Sequence, residues 1–158
     1  MDYTLNPSNR GLLNGEDLLF FYYDVFAKKE DSITDIYDWD SEIDDFITSQ
    51  GMVIDECDVS QMPNDYPENT LLFTNSVKGE TKLQAFFRHV RNAFSHMNIQ
   101  RNGDYYLLRD YGCAGKISMI GKIKCDCFKN FCFLFTEQGE NVIEKQSLTN
   151  LDTYNESN

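Results

Sequence analysis

The chain has 158 residues, is 41% hydrophobic and 14% aromatic, and carries a formal net charge of −12. That apolar and aromatic content excludes a disordered chain and suits one domain over residues 1–158 with its own core. No apolar run approaches the roughly 20 residues needed to span a bilayer, and the N-terminus lacks the basic and apolar regions of a signal peptide, so a cytoplasmic protein is expected.

In chain order, residues 1–13 are polar with scattered leucines and read as a peripheral lead-in. Asn14 reads as an N-cap with Asp17 in the first turn, and the run from Leu18 to Phe26 as a first helix. Lys28 and Lys29 suit its C-terminus. Asp31 and Ser32 offer a second cap; Ile33, Ile36, Trp39, Ile43 and Ile47 then recur at helical spacing up to a stop at Gly51. Trp39 is expected in the core, and the many acids of this segment read as a solvated face. Residues 51–69, with Pro63 and Pro67, predict a connection carrying at most a short strand or helical turn. Leu71 to Phe73 starts or supports the next helix.

That next helix is the centre of the chain, with its N-terminus expected between Thr74 and Glu80. At 100° per residue Leu83, Phe87, Val90, Phe94 and Met97 fall on one arc, with Phe86 and Ala93 beside it. The other side carries Arg88, His89, Arg91, Asn92, Ser95 and His96, including both histidines of the chain. After Met97 the period changes. Asn102-Gly103 signals a turn, Tyr105 to Arg109 a strand, Gly112 to Gly115 another turn, and Lys116 to Ile123 a second strand. Asp126 is a candidate cap for a last helix that turns Phe128, Phe131, Cys132 and Phe135 inward, although a strand also suits Phe131 to Phe135. Beyond Gly139 the chain is polar, with a peripheral tail over 147–158.

Five cysteines with no sign of secretion argue against a disulfide framework. Cys125, Cys127 and Cys132 raise a zinc alternative, but their spacing lacks two paired ligand motifs, and buried small hydrophobes are the preferred reading. No metal or cofactor is expected. Charge is segregated: residues 78–130 hold ten Lys and Arg against four acids, a balance of +6, and the rest is −18. One basic face for a polyanion would follow, or a solvated asymmetry without a partner.

On the central helix Arg88, Asn92 and His96 stand at i, i+4 and i+8, with Arg91 on the flank. An imidazole titrates near working pH and suits proton transfer, and a guanidinium offers fixed, charged donors to phosphate oxygens. Tyr105, Tyr106, Arg109 and Tyr111 interleave aromatic and basic character, which suits base stacking and cross-strand packing equally.

Arg91-Asn92-Ala-Phe-Ser-His96, with a hairpin to follow, resembles the Arg-x(4–6)-His signature of the HEPN superfamily, including the polar residue directly after the arginine. The resemblance implies a mainly α fold, an antiparallel helical bundle with a small β-hairpin after the motif helix. It implies a homodimer through that helix and a metal-independent endoribonuclease that uses the 2′-hydroxyl as nucleophile, in a toxin–antitoxin or phage-defence setting with an antitoxin or regulatory partner. Arg91, Asn92 and His96 carry over as the catalytic set. Arg88, His89 and Ser95 from the helix wheel, together with Arg101 and Arg109, are candidates for binding the RNA. The alternative is an inactive module of the same kind, binding RNA or protein.

Overall fold

The computed structural model describes residues 13, 15–26 and 38–135. The lead-in, the Asn14 cap, Lys28 and Lys29, the Asp31–Ser32 cap and the tail lie outside the described residues. Helix α1 (Gly15–Leu19) passes into a wider π-helical turn over Phe20–Phe26. Helix α2 (Ser41–Ser49) follows, then strand β1 (Val53–Glu56), a 3-10 turn over Val59–Gln61, and β2 (Thr70–Phe73). The central helix is α3 (Lys82–Ser95). After it come β3 (Ile99–Asn102), β4 (Tyr105–Tyr111), β5 (Ile117–Lys124) and α4 (Cys125–Phe133).

The strands form one five-stranded mixed sheet in the order β1-β2-β5-β4-β3, with β1 parallel to β2 and every other pair antiparallel. This corrects the helical bundle: the fold is α/β. The hairpin after the motif helix is there as β4 and β5, but both are interior strands of a larger sheet, with β3 on one edge. Residues 53–56 and 70–73 complete that sheet, four residues each. Runs that short show no period, and Leu71 to Phe73, expected to start or support the central helix, is a strand between β1 and β5.

Local chemistry explains the other boundary shifts. Asp40 caps α2 by accepting from the Ile43 N–H, so Trp39 lies before the helix rather than in it. Trp39 still packs on Phe73, Phe86 and Phe131, as a core residue does. Helix α3 has its N-cap, Thr81, one residue beyond the expected interval. Thr81 and Gln84 form a reciprocal capping box, each side chain bonded to the other's backbone N–H. Lys124, not Asp126, stands at the N-cap of α4.

One sheet face packs under the helices. Leu71, Phe73, Met119, Ile123, Tyr106 and Leu108 point to it and meet Phe86, Phe87, Val90 and Phe94 of α3 and Phe128 and Phe131 of α4, all buried. The expected arc of α3 is therefore its core face, except for Met97. The helix ends in a Schellman motif, with Asn98 N–H donating to Ala93 O at 2.7 Å and Met97 N–H to Phe94 O at 3.1 Å. That turn puts Met97 in the left-handed region, φ 57°, and leaves its side chain 78% exposed.

The other face carries Ile120, Leu107, Arg109, Lys122 and Tyr105, and the connection 57–69 lies across part of it. Arg109 donates to Asn64 O at 3.1 Å and stacks over the Tyr66 ring at 4.5 Å, and Lys122 reaches Glu68 at 3.0 Å. Ile120 beneath is fully buried.

Gly121 is the tightest point between β2 and β5. A Cβ there would stand 3.0 Å from Leu71 Cβ and Cγ and 3.2 Å from its Cα. Gly121→Ala gains roughly 0.4–1 kcal/mol from a stiffer unfolded chain, but overpacking costs about 1–3 kcal/mol. A lowered urea midpoint is expected, and an unchanged or raised one would contradict this packing.

Candidate active site on the central helix

Helix α3 sorts its polar residues by environment. Arg91 and Ser95 are exposed, as is His96 at the C-cap, and Asn92 and Arg88 are half-buried. The motif residues Arg91, Asn92 and His96 thus lie along the last turns of α3, away from its core arc. His89 does not join them. It is buried and points at the sheet.

Its environment is specific. Nδ1 lies 2.7 Å from Asp110 Oδ2, and Nε2 lies 2.7 Å from the Thr74 carbonyl oxygen. Both partners are acceptors for a ring N–H. Arg88 Nη2 and Thr74 Oγ1 also stand 3.3 and 3.4 Å from Nε2. Burial pushes the Asp110 carboxyl up, but the His89 bond and charge, the Asn92 amide and the Tyr111 N–H outweigh it and hold it below the usual carboxylate range. The Asn92 contribution is a donor at 3.4 Å to the oxygen that also receives His89.

The remaining predicted binders are engaged in the fold. Arg88 binds Glu80 through Nε and Nη2 at 2.8–3.1 Å. Arg101 meets both oxygens of Asp17 at 3.0–3.2 Å, and Lys129 meets Asp17 at 2.7 Å. Lys82 pairs with Asp55 at 2.9 Å. The basic second half and acidic first half therefore neutralise each other in four of these contacts: Lys82–Asp55, Lys122–Glu68, Arg101–Asp17 and Lys129–Asp17. A continuous basic face does not form. Lys78, Arg91, Lys116 and Lys124 are the lysines and arginines exposed among the described residues.

The aromatic–basic interleaving of β4 resolves the same way. Tyr106 is buried with its hydroxyl on Asp17, and burial beside that carboxylate pushes the hydroxyl up. Tyr105 lies under Lys122 at 4.9 Å, and Tyr111 is 44% exposed. The zinc alternative loses its geometry, because Cys125 and Cys127 sit two apart on α4 and diverge around it. Cys125 and Cys132 are buried, and burial pushes both thiols up. Among the described residues no group of three His, Cys, Asp or Glu is placed to hold a metal ion, and no helix is long and apolar enough to cross a membrane.

Asp17 and Asp110 set an acid limit. Burial pushes the Asp17 carboxyl up, but the bonds from Lys129, Tyr106 and Arg101 together outweigh it and bring it below the usual range. For both groups the folded state binds its proton less readily than the unfolded chain. Their stabilisation is complete above the unfolded value, about pH 4, and is lost as pH falls through the lower folded values. Urea midpoints between pH 7 and pH 3 should hold to near pH 5 and then fall. A midpoint flat to pH 3 would contradict both assignments.

Asp110 was missed in the sequence, yet a signal was there. In the alternation of Tyr105 to Tyr111 it shares a face with Tyr106 and Leu108, and an acid at an inward position needs a buried partner. Asp17 was read only as a first-turn acid.

Comparison with family models, with curated proteins and with solved structures finds no match for this chain. Fold and site define an α/β protein whose central helix carries an exposed arginine, serine and histidine around a half-buried asparagine, backed by a buried His–Asp pair.

Proposed function

We propose that the protein is a cytoplasmic endoribonuclease acting on single-stranded or looped RNA through Arg91, Asn92 and His96. It follows the Arg-x(4–6)-His chemistry of the HEPN superfamily on this α/β scaffold. The observation that carries the reading is the placement of the motif. Its arginine and histidine reach solvent at one end of a helix otherwise enclosed by the core, and its asparagine is tied to a buried carboxylate. In the reaction His96 takes the 2′-hydroxyl proton, the 2′-oxygen attacks phosphorus, and the P–O5′ bond breaks as the 5′-oxygen gains a proton. The product is a 2′,3′-cyclic phosphate. Arg91 neutralises the charge that grows on the phosphoryl oxygens.

Acid and base are both needed, and one chain offers a single exposed imidazole, since both nitrogens of His89 are occupied. A second copy supplies the other. Leu18, Leu19 and Tyr22 are 40–59% exposed. Tyr22 packs on Phe94 at 5.8 Å and donates to its carbonyl at 3.4 Å, which sets this apolar surface beside Met97 and His96. A homodimer closing there brings two Arg91 and two His96 to one groove. A regulatory or antitoxin-like protein in a toxin–antitoxin or phage-defence pair would use the same end of the helix.

The internal pairing of the cations favours a second reading, a non-catalytic module that binds a protein or RNA partner. Incubation of the purified protein with single-stranded RNA separates the two. Cleavage to cyclic-phosphate ends that persists in EDTA and is lost in Arg91→Ala and His96→Ala supports the enzyme. Cleavage that survives both substitutions, or strictly needs a divalent ion, defeats it.

A further inference from the structure

A buried polar His–Asp contact is costly to build; well-packed hydrophobic residues of the same volume are often as stable or more so. This one lies against the motif rather than elsewhere in the core. Asp110 Oδ2 receives His89 Nδ1 at 2.7 Å and the Asn92 amide nitrogen at 3.4 Å, and Asp110 Oδ1 receives the Tyr111 N–H at 3.0 Å. His89 is fixed in turn by the Thr74 carbonyl. The carboxylate therefore has three donors on it, from α3 and from β4.

An ionised carboxylate only accepts, so it decides which way the Asn92 amide faces. The NH2 group turns to Asp110, and the carbonyl Oδ1, on the other arm of the amide, is left as an acceptor. A freely rotating asparagine would exchange the two ends. This one keeps one N–H on Asp110 and its Oδ1 in a fixed place.

We propose that Asp110, braced by His89, is a positioning residue of the α3 site, holding Asn92 so that its Oδ1 accepts the 2′-hydroxyl of a ribose next to the one that attacks. This rests on reading α3 as an RNA-cleaving site, and it adds a substrate preference. The 2′-hydroxyl is the group that distinguishes RNA from DNA, and an acceptor placed for a neighbouring ribose fixes the strand while the proton of the attacking 2′-hydroxyl stays free for His96. Asp110 touches no substrate and acts through Asn92. Misplacing a reacting group by about 1 Å costs about 10²-fold, which sets the size of the effect.

The test compares the full-length protein with Asp110→Asn and Asn92→Ala. In the wild type the Asn92 side-chain amide protons should be resolved in a 15N–1H spectrum and exchange slowly. In Asp110→Asn they should move and exchange faster while the backbone spectrum keeps its folded dispersion. With a single-stranded oligoribonucleotide, kcat should fall about 10²-fold in Asp110→Asn with KM little changed, and Asn92→Ala should match it. Where Asp110→Asn does not fold, the wild-type amide signal and the Asn92→Ala kinetics still decide. An Asn92 amide that exchanges like a solvent-exposed one overturns the proposal whether or not the protein cleaves RNA. So does a wild-type rate in Asn92→Ala. Wild-type protein that cleaves no RNA defeats the parent reading instead, and the amide signal then judges the positioning by itself.

Discussion

Asp17→Ala is expected to cost about 3–5 kcal/mol of folding stability, the largest loss from any single side chain described here. Asp17 is fully buried near the start of α1 and gathers Arg101 of β3, Tyr106 of β4 and Lys129 of α4. Removing it leaves two cations and a buried hydroxyl without their acceptor, and the cost of stranding such groups exceeds the net worth of the pairs themselves. Exposed bridges such as Lys122–Glu68 contribute roughly 0–1 kcal/mol each, so the contrast with Glu68→Ala isolates burial as the cause. Trp39, the only tryptophan, packs on three phenylalanines and reports unfolding by its fluorescence. A loss under about 1 kcal/mol for Asp17→Ala, the size of an exposed pair, would show that α1 is not held by this clamp.

The second large effect falls on activity and leaves stability alone. His96 and Arg91 are exposed, and surface substitutions of that kind usually stay within about 0.5 kcal/mol. A general acid–base group contributes about 10²–10⁴-fold to rate, and a donor aimed at developing oxyanion charge about 10²–10³-fold. His96→Ala should therefore abolish most RNA cleavage, Arg91→Ala should lose nearly as much, and both should unfold at the wild-type urea midpoint. Asp17→Ala has the opposite signature. A fall in rate accompanied by an equal fall in stability would move these residues from chemistry to structure.

How far these features could be read from the chain differs by element. Helix α3 was legible because fourteen residues give several turns of periodicity. The β4–β5 hairpin was legible because its strands run seven and eight residues and Gly112 to Gly115 marks the turn between them. Strands β1 and β2 were not, since four residues each show no period and β5, the strand that joins β2 to the rest of the sheet, lies some fifty residues further on. The helical bundle implied by the motif thus gave way to a sheet that the motif does not encode. The charge segregation was legible as a count and misleading as a surface. Its acids and bases meet one another across the fold, in Lys82–Asp55, Lys122–Glu68 and the cluster on Asp17. Helical position placed Arg91, Asn92, Ser95 and His96 away from the core arc, but His89 was misplaced. Its side of the helix is polar only because Asp110 and the Thr74 carbonyl wait for it on the sheet.

The central claim is that Arg91 and His96 act together, in two copies, on an RNA phosphate. Mixing wild-type protein with His96→Ala tests it most directly. The two are combined, partly unfolded and refolded together, and assayed on a single-stranded RNA in EDTA. A groove that needs both copies of His96 predicts that mixed dimers are inactive, so the mixture cleaves more slowly than the same amount of wild-type protein refolded alone. A mixture that cleaves as fast as that wild-type control, or a wild type that cleaves no RNA, would contradict it.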